Sequence, residues 1–229
     1  MKLTKLLDTS TLSDDEIQTA WEEAYERFET QEEEIQKFVK RLEFVGQKDW
    51  KRDAQTVELF CGRCNGIRAL EKLGFTNLEG VDISRNLLTN YRGKAKLYQS
   101  DCRILPFADK SRDIIILQGG LHHLPRFPDD VEQTLSEIHR VLRPAGHFVL
   151  IEPWLTLFLR LIHFLSERNF IRKISNKFDA FAAMTHYEKE TYYRWLGQQS
   201  EILLLLKKYF TAIRLSKKFG KIIFIGKRK

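Results

Sequence analysis

The chain has 229 residues, a net charge of +7 and a hydrophobic content of 43%, which suits one elaborated domain with a substantial core. Its three cysteines are too few for a disulfide framework, so we expect a reducing, cytoplasmic compartment. The first residues lack a long apolar stretch and a small-residue cleavage site, so we expect no signal peptide.

The positive charge is concentrated in the last third of the chain. Residues 153–229 contain 16 Lys and Arg against 5 Asp and Glu, whereas residues 1–56 contain 9 against 14. Such asymmetry is typical of contact with nucleic acid, with an anionic membrane surface or with an acidic substrate. It is equally typical of a solvated basic face, and the counts alone leave these alternatives open.

Residues 14–46 show the periodicity of two amphipathic helices. Ser13 is placed to cap the first helix, and Glu16 completes a capping box. Apolar residues then recur at helical spacing, with acidic residues on the other face. We expect residues 1–55 to form a helical lid, which either packs on a larger domain or covers a pocket with Trp21 and Tyr25.

From residue 56 onward, short apolar strands alternate with helices. The strands are TVELF, LEGVDIS, KLYQSD, DIIILQGG and HFVLIEP, and the helices between them are IRALEKLGF, RNLLTNYRGKA and VEQTLSEIHRVLRPAG. This alternation predicts right-handed βαβ crossovers and therefore an α/β fold with a Rossmann-like, doubly wound sheet. The final segments, FTAIRLSKK and KIIFIGK, predict an antiparallel pair that brings the sheet to seven strands.

The segment between the fifth strand and this pair predicts a helical cap over residues 154–208, inserted into a domain of residues 56–229. It begins with WLTLFLRLIHFL, which is strongly apolar but too short to span a bilayer. The segment ETYYRWLGQQSEILLLLKKYF predicts one or two further helices, and we expect the run from Ile202 to Leu206 to be buried core.

The turn after the first strand, CGRCNG, is typical of a nucleotide-binding fold. Gly62 and Gly66 allow a ligand to approach the backbone closely, and Asp82 at the end of the second strand can accept both hydroxyls of a ribose. Cys61 and Cys64 also form a Cys-x-x-Cys pair, which is used in redox chemistry and in metal sites. Because a metal site needs about four ligands, we expect buried thiols here and no metal.

Five blocks in order strengthen the nucleotide interpretation. They read VELFCGRCNG, EGVDIS, SDCRILPF with ADKSRD, LHHLP, and LSEIHRVLRPAG with EP. Over about residues 57–153 the sequence resembles the class I S-adenosylmethionine-dependent methyltransferases, in particular the branch acting on small molecules. It departs from their pattern in the first turn, where Phe60 and Cys64 stand in place of glycines.

The resemblance implies S-adenosyl-L-methionine as the cofactor and assigns its contacts by position. Glu58 would orient the first turn, where Phe60, Cys61 and Gly62 approach the methionyl group. Asp82 would hold the ribose hydroxyls, and Ile83 would pack on the adenine. The remaining contacts are expected from Asp101, Cys102, Gln118 and Gly119.

The resemblance also points to the histidine pair of LHHL as catalytic. His122 and His123 follow the fourth strand, where a general base could take a proton from an alcohol or phenol. We expect His123 slightly before His122. The alternative is that one histidine caps the next helix and the other packs in the core.

The apolar cap favours a small, hydrophobic or glycosylated metabolite as acceptor, methylated on oxygen. Its flanking basic residues also allow peripheral contact with an anionic membrane. An RNA methyltransferase is the alternative that the basic last third suggests, although no RNA-binding module accompanies it and we do not expect a nucleic-acid partner. A methyltransferase fold that serves as a scaffold or a cyclase is the other alternative, and the sequence does not indicate the oligomeric state.

Overall fold

The architecture was taken from a computed structural model, which describes Thr4 and residues 6–229 apart from the side chain of Asp14. Residues 1–3 and 5, at the start of the predicted lid, lie outside the described residues. The helices are α1 (Asp14–Phe28), α2 (Gln31–Phe44), α3 (Asn65–Lys72), α4 (Arg85–Leu88), α5 (Asp129–Val141), α6 (Leu157–Ser166), α7 (Asn169–Ile174), α8 (Asn176–Tyr187), α9 (Lys189–Gly197) and α10 (Gln199–Tyr209). The strands are β1 (Thr56–Leu59), β2 (Leu78–Asp82), β3 (Lys96–Gln99), β4 (Arg112–Gln118), β5 (Leu142–Pro153), β6 (Phe210–Lys218) and β7 (Lys221–Arg228).

The seven strands form one sheet in the order β3-β2-β1-β4-β5-β7-β6. The first five run parallel, and β7 pairs antiparallel with both β5 and β6. The predicted doubly wound sheet and its terminal antiparallel pair are confirmed. Strand order reverses between β1 and β4, and a crevice for a ligand opens at this point in such folds.

Two apolar layers enclose the sheet. Ile115 and Leu117 of β4 face a core that includes α5 and the cap helices, whereas Ile114 and Ile116 face the layer of α2 and α3. Because successive strand residues point to opposite faces, a continuous apolar run is needed where both faces are covered. The DIIILQ segment supplies that run.

The structure differs from the sequence-based expectations at three places. The helix expected over RNLLTNYRGKA is only α4, from Arg85 to Leu88. In the part of the segment that follows α4, Gly93 packs against the Tyr91 ring. The helix expected to end at Pro144 and Gly146 ends at Val141, and β5 already begins at Leu142. Not all of the run from Ile202 to Leu206 is core, because helical periodicity turns Leu204 outward, where it is 67% exposed.

The N-terminal helix is held to the cap by a buried ionic cluster. Asp179 of α8 is almost fully buried and accepts a hydrogen bond from the Thr4 amide. Its carboxylate also pairs with Arg172 at 2.8 Å and with Arg27 of α1 at 3.1 Å. Burial by itself raises the pKa of this carboxyl, but the hydrogen bonds from Thr4, Arg172 and Arg27 outweigh burial and lower it. Asp179 therefore joins α1, α7 and α8.

Replacing Asp179 with Ala should destabilise the protein by about 3–5 kcal/mol, because two arginines would lose their buried counter-charge. The free energy of unfolding would be measured by urea denaturation. Asp109→Ala is the matched control, since Asp109 pairs with Arg140 on the surface, where an ion pair contributes about 0–1 kcal/mol. Equal effects of the two substitutions would contradict the role given to Asp179.

Candidate functional site

A cavity of about 1490 Å³ lies over the carboxyl ends of the parallel strands. Its floor is formed by the loops after β1, β2 and β4, and α1, α2, α6 and α8 contribute its walls. Trp21 and Tyr25 of α1 line it, as do Phe158 of α6 and Phe181 of α8. All twelve residues predicted to contact the cofactor or to act in catalysis border this cavity, namely Glu58, Phe60, Cys61, Gly62, Asp82, Ile83, Asp101, Cys102, Gln118, Gly119, His122 and His123.

The turn after β1 is tight and uses the left-handed backbone region three times. Phe60 has a φ of 53°, Gly62 of 48° and Cys64 of 61°. Only glycine adopts this region without cost, so Phe60 and Cys64 are strained by roughly 1 kcal/mol or more each. The backbone therefore keeps a conformation typical of glycines in spite of the substitutions. The two sulfur atoms lie 4.0 Å apart, and both thiols are buried and free.

The Phe60 ring fits because the loop after the neighbouring strand β4 has a glycine, Gly120, beside it. A Cβ atom on Gly120 would lie 2.3 Å from Cγ of Phe60, so the ring occupies the space that any other residue at 120 would need. The ring borders the cavity and packs against the core cluster on the β4 side of the sheet. The crevice between β1 and β4 consequently remains part of the cavity.

Two side chains that border the cavity have buried polar atoms without partners. Oε2 of Glu58 and both amide atoms of Gln118 are buried and have no hydrogen-bond partner among the described residues. Burial and, to a smaller extent, the nearby Cys64 raise the pKa of the Glu58 carboxyl well above its usual range. A Cβ on Gly66 would lie 1.7 Å from Oε1 of Glu58, so Glu58 also needs the glycine at the start of α3. Unsatisfied buried groups are costly, which indicates a ligand that completes them.

Asp82 holds the first turn in place while it faces the cavity. Its Oδ2 accepts a hydrogen bond from the Gly62 amide at 2.7 Å, and its Oδ1 accepts one from the Ser84 amide at 2.8 Å. Each carboxylate oxygen has a second lone pair for a ligand hydroxyl. The Ile83 side chain beside it is 67% exposed and apolar, which suits stacking against a flat base.

Asp101 lies at the same rim but is engaged by a neighbour. Arg103 contacts both of its carboxylate oxygens, with the shortest distance 2.6 Å, and also pairs with the buried Asp130 at 2.9 Å. The hydrogen bonds from Arg103 lower the pKa of the Asp101 carboxyl, so an anionic acceptor is kept at the rim. Cys102 is buried, with its sulfur 3.5 Å from Thr134, so only its backbone is available to a ligand.

His122 is fixed by a fully buried carboxylate. Nδ1 of His122 lies 2.6 Å from Oε2 of Glu152, and Oε1 of Glu152 accepts the amides of Gly120 and Leu121 at 2.7 and 2.9 Å. The carboxylate therefore holds the proton on Nδ1 and leaves the Nε2 lone pair available. Burial lowers the pKa of His122, but the Glu152 charge and hydrogen bond outweigh burial and raise it.

His123 lies beside His122 in a different environment. Burial and the adjacent His122 lower its pKa well below the usual range. Its Nδ1 is 3.4 Å from Oε2 of Glu188, which also accepts a hydrogen bond from the Trp21 indole at 3.1 Å. The only group of three metal-ligating side chains found among the described residues is His122, His123 and Glu188, and the Trp21 indole donates to one of the two carboxylate oxygens of this group.

Sequence analysis missed Glu188, which the structure brings to the histidines. It lies between α8 and α9, in the cap, and its Oε2 is 3.8 Å from Nε2 of His122. Burial raises the pKa of Glu188 to about 7, so it titrates near neutral pH. No local pattern in AMTHYEKET distinguishes this glutamate from a surface one, and only the return of the cap over the sheet places it here.

One segment of the chain matches a known protein family. Residues 57–150 match the family model described as a methyltransferase domain, and this segment contains the β1 turn, Asp82, Asp101 and the histidine pair. The chain contains a class I S-adenosylmethionine-dependent methyltransferase domain. The predicted family and its cofactor are confirmed at this level.

The methyltransferase domain has curated relatives. The chain is 26% identical over 206 residues to a demethylmenaquinone methyltransferase of Alkalihalophilus pseudofirmus, covering 80% of this chain and 82% of the relative. It is 30% identical over 119 residues to a ubiquinone/menaquinone biosynthesis C-methyltransferase UbiE of Geotalea daltonii. That second match covers 46% of this chain and 49% of the relative, about half of each.

Solved structures share the fold at low sequence identity. The PH0226 protein of Pyrococcus horikoshii superposes with a TM-score of 0.61 at 22% identity, covering 83% of this chain and 89% of that one. A putative S-adenosyl-L-methionine-dependent methyltransferase of Methanococcus maripaludis gives a TM-score of 0.60 at 14% identity, covering 100% and 97%.

The residues of the methyltransferase domain fit its cofactor. The unpartnered atoms of Glu58 and Gln118 can complete hydrogen bonds to an amine, Asp82 can accept a diol, and Ile83 can cover a purine. These assignments are residue-level proposals that follow from the cavity geometry.

Asp82→Ala should weaken binding of S-adenosylhomocysteine by about 10- to 100-fold, the loss expected when hydrogen bonds to a charged group are removed. Isothermal titration calorimetry would measure the dissociation constant. Asp109→Ala, which removes an exposed carboxylate outside the cavity, is the control. Unchanged affinity in the Asp82 variant would refute the ribose assignment.

Gly120→Ala should destabilise the protein by about 1–3 kcal/mol through overpacking against Phe60. In a Phe60→Gly background the Gly120→Ala substitution should cost less than about 0.5 kcal/mol, because the ring that the alanine Cβ meets is gone. The Phe60→Gly substitution by itself also relieves the left-handed φ at position 60. Thermal and urea unfolding of the four proteins in this cycle would measure the coupling. Additive effects would show that Phe60 and Gly120 do not share this space.

Proposed function

We propose that the protein methylates a lipophilic, hydroxyl-bearing aromatic acceptor on carbon, using His122 as the general base. The observation that carries this proposal is the Glu152–His122 pair, which is buried near the carboxyl ends of β4 and β5 and in which Glu152 engages Nδ1 while His122 borders the cavity. Sequence analysis favours oxygen as the methylated atom. The relatives favour carbon, because they are named as demethylmenaquinone and ubiquinone/menaquinone methyltransferases and one of them is named as a C-methyltransferase.

The chemistry needs a hydroxyl to lose its proton beside the methyl donor. S-adenosylmethionine supplies, when bound, a methyl group that is already activated on a sulfonium sulfur. Nε2 of His122 accepts the proton of the acceptor hydroxyl, and Glu152 stabilises the positive charge that then develops on the ring. The resulting oxyanion raises the electron density on the neighbouring ring carbon, which is the atom we propose to be methylated.

A carbon acceptor has a second proton to lose after methylation. Glu188 lies 3.8 Å from Nε2 of His122, and its pKa of about 7 makes it a proton acceptor near neutral pH. We propose that Glu188 accepts this proton, while the Trp21 indole holds its carboxylate in position. His123, whose pKa is lowered by burial, is the weaker base of the pair and is assigned to lining the site.

The apolar side chains of the cap support a lipophilic acceptor. The cavity is lined by apolar side chains of the cap, as expected for a site that binds an apolar ligand; they are Leu159, Ile162, Phe178, Phe181 and Met184.

Several apolar side chains on the outer face of α6 and α7 are exposed, with Leu157 at 84% and Phe170 at 71%. Within the described residues, no helix has the length and apolar content of a membrane span. We propose that this face, flanked by Arg168 and Lys173, contacts the membrane surface that supplies the acceptor.

The test uses S-adenosylmethionine with a labelled methyl group and a reduced demethylmenaquinone with a short isoprenoid tail. His122→Gln should lower kcat by about 10²- to 10⁴-fold, the usual contribution of a general base, whereas His123→Gln should lower it less than tenfold. Affinity for S-adenosylhomocysteine should stay within twofold in both variants, because neither histidine is assigned to the cofactor.

Nuclear magnetic resonance of the product would distinguish a methyl group on carbon from one on oxygen. A methoxy product would overturn the carbon assignment and restore oxygen. An unimpaired His122→Gln variant would show that the base is another group or that alignment alone is sufficient.

A further inference from the structure

Two cationic side chains lie unpaired in the cavity, away from the groups assigned to the cofactor. Arg41 of α2 and Lys221, the first residue of β7, both line the cavity and are partly buried. Neither side chain takes part in an ion pair or a hydrogen bond with the residues that the structure describes, and the Arg41 guanidinium lies over the Phe38 ring at 5.2 Å. The nearest negative charges that act on them without pairing are Glu34 for Arg41 and Glu152 for Lys221. Other cavity lysines are matched, Lys37 with Glu29 and Lys177 with Glu33.

The two cations are near enough for the charge of Arg41 to act on Lys221. The charge of Arg41 and, next, burial lower the pKa of Lys221 to about 7. Bringing like charges together inside a partly desolvated site is unfavourable unless an anion joins them. The arrangement therefore indicates a negatively charged ligand group, for which both cations would be partners.

Their place in the fold separates them from the nucleoside contacts. Strand order runs β1-β4-β5-β7, so Lys221 is three strand spacings from β1, or about 14 Å at about 4.8 Å each. Glu34 of α2 binds Asn65 at the start of α3, and Arg41 lies about 10 Å further along the same helix. Both cations are thus on the far side of Glu152 and His122 from Asp82.

Apolar surface begins directly beside the cations. A Cβ on Gly220, the residue before Lys221, would lie 3.3 Å from Cβ of Leu159, so β7 starts against the apolar helix α6. Arg41 also borders a separate groove of about 770 Å³ along α2, and both this groove and the cavity are lined by Lys37 and Arg41. A ligand here would place an anionic group on the β7 side and an apolar body along the cap.

We propose that Arg41 and Lys221 form a subsite for a carboxylate or phosphate carried by the acceptor itself. The inference rests on the proposed function for the existence of an acceptor in this cavity. It adds that the natural acceptor is an amphiphilic anion, so that the demethylmenaquinone of the test above is a surrogate that lacks the anionic group. Two cations at a fixed distance from His122 would set which atom of the acceptor faces the methyl donor. An uncharged analogue of the same apolar shape would bind less well and in more than one orientation.

The test compares decanoate with its uncharged amide, decanamide, as probes of the subsite. Calorimetric titrations would use protein saturated with S-adenosylhomocysteine, at low salt. Decanoate should bind the unaltered protein at least about tenfold more tightly than decanamide, as for a hydrogen-bonded charged group. Arg41→Met and Lys221→Met should each reduce this preference to below about threefold, because methionine keeps an apolar stem and removes the charge.

Lys227→Met is the matched control, since Lys227 is on the same strand, is exposed and does not border the cavity. It should leave the preference unchanged. Arg41→Lys, which keeps the charge, should retain most of the preference and shows that the methionine variants do not act through misfolding. Equal binding of decanoate and decanamide by the unaltered protein would overturn the proposal.

The cofactor is the other source of a carboxylate, and a second titration separates it from the acceptor. If Arg41→Met weakens S-adenosylhomocysteine but not 5′-methylthioadenosine, which lacks the amino acid, Arg41 binds the cofactor and the proposal is wrong. We expect both affinities to stay within about twofold. Retained binding of S-adenosylhomocysteine together with a lost decanoate preference would leave the methyltransferase function standing, so the two proposals can fail separately.

Discussion

The buried carboxylate of Glu152 is the interaction on which the reactive part of the structure depends. It ends β5, is fully buried, and binds two backbone amides of the loop after β4 and the ring of His122. A charge in such a place is stable only when its hydrogen bonds are complete. By completing them, the fold fixes the loop, the tautomer of His122 and the direction of Nε2 in one arrangement.

The first turn shows how a backbone shape typical of glycines can form with other residues at two positions. Phe60 and Cys64 adopt left-handed conformations that normally call for glycine. The strain at Phe60 is accommodated because Gly120 leaves room for its ring, while Asp82 holds the following amide at Gly62. The phenylalanine in the loop after β1 is thus accommodated by a glycine in the loop after β4, and the crevice between these strands remains part of the cavity.

The cavity is divided by charge in a way that suits two different ligands. Carboxylates on β1, β2 and the loop after β3 face the half proposed for the cofactor, namely Glu58, Asp82 and Asp101. Arg41 and Lys221 face the other half, beside the apolar cap helices. His122 and Glu188 lie between the halves, where a methyl group would pass from one ligand to the other. Helices α1, α2, α6 and α8 contribute walls to this cavity, and such walls favour alignment of a nucleophile with an activated methyl group by limiting water.

The sequence by itself determined the α/β alternation and the seven strands, because each depends on local spacing, whereas the proposed cofactor contacts come from the resemblance to the methyltransferases. TVELF followed by CGRCNG specifies a strand and a tight turn wherever it occurs, and DIIILQ is apolar on both faces because both are covered. The short α4 and the early end of α5 were not predictable, since side-chain packing at Gly93 and pairing of Leu142 with Arg112 decide them. Only the tertiary structure brought Glu188 to the histidines and Arg41 and Lys221 to the same cavity. Their neighbours in sequence carry no sign of this, because their positions follow from how α2, the cap and β7 fold back over the sheet.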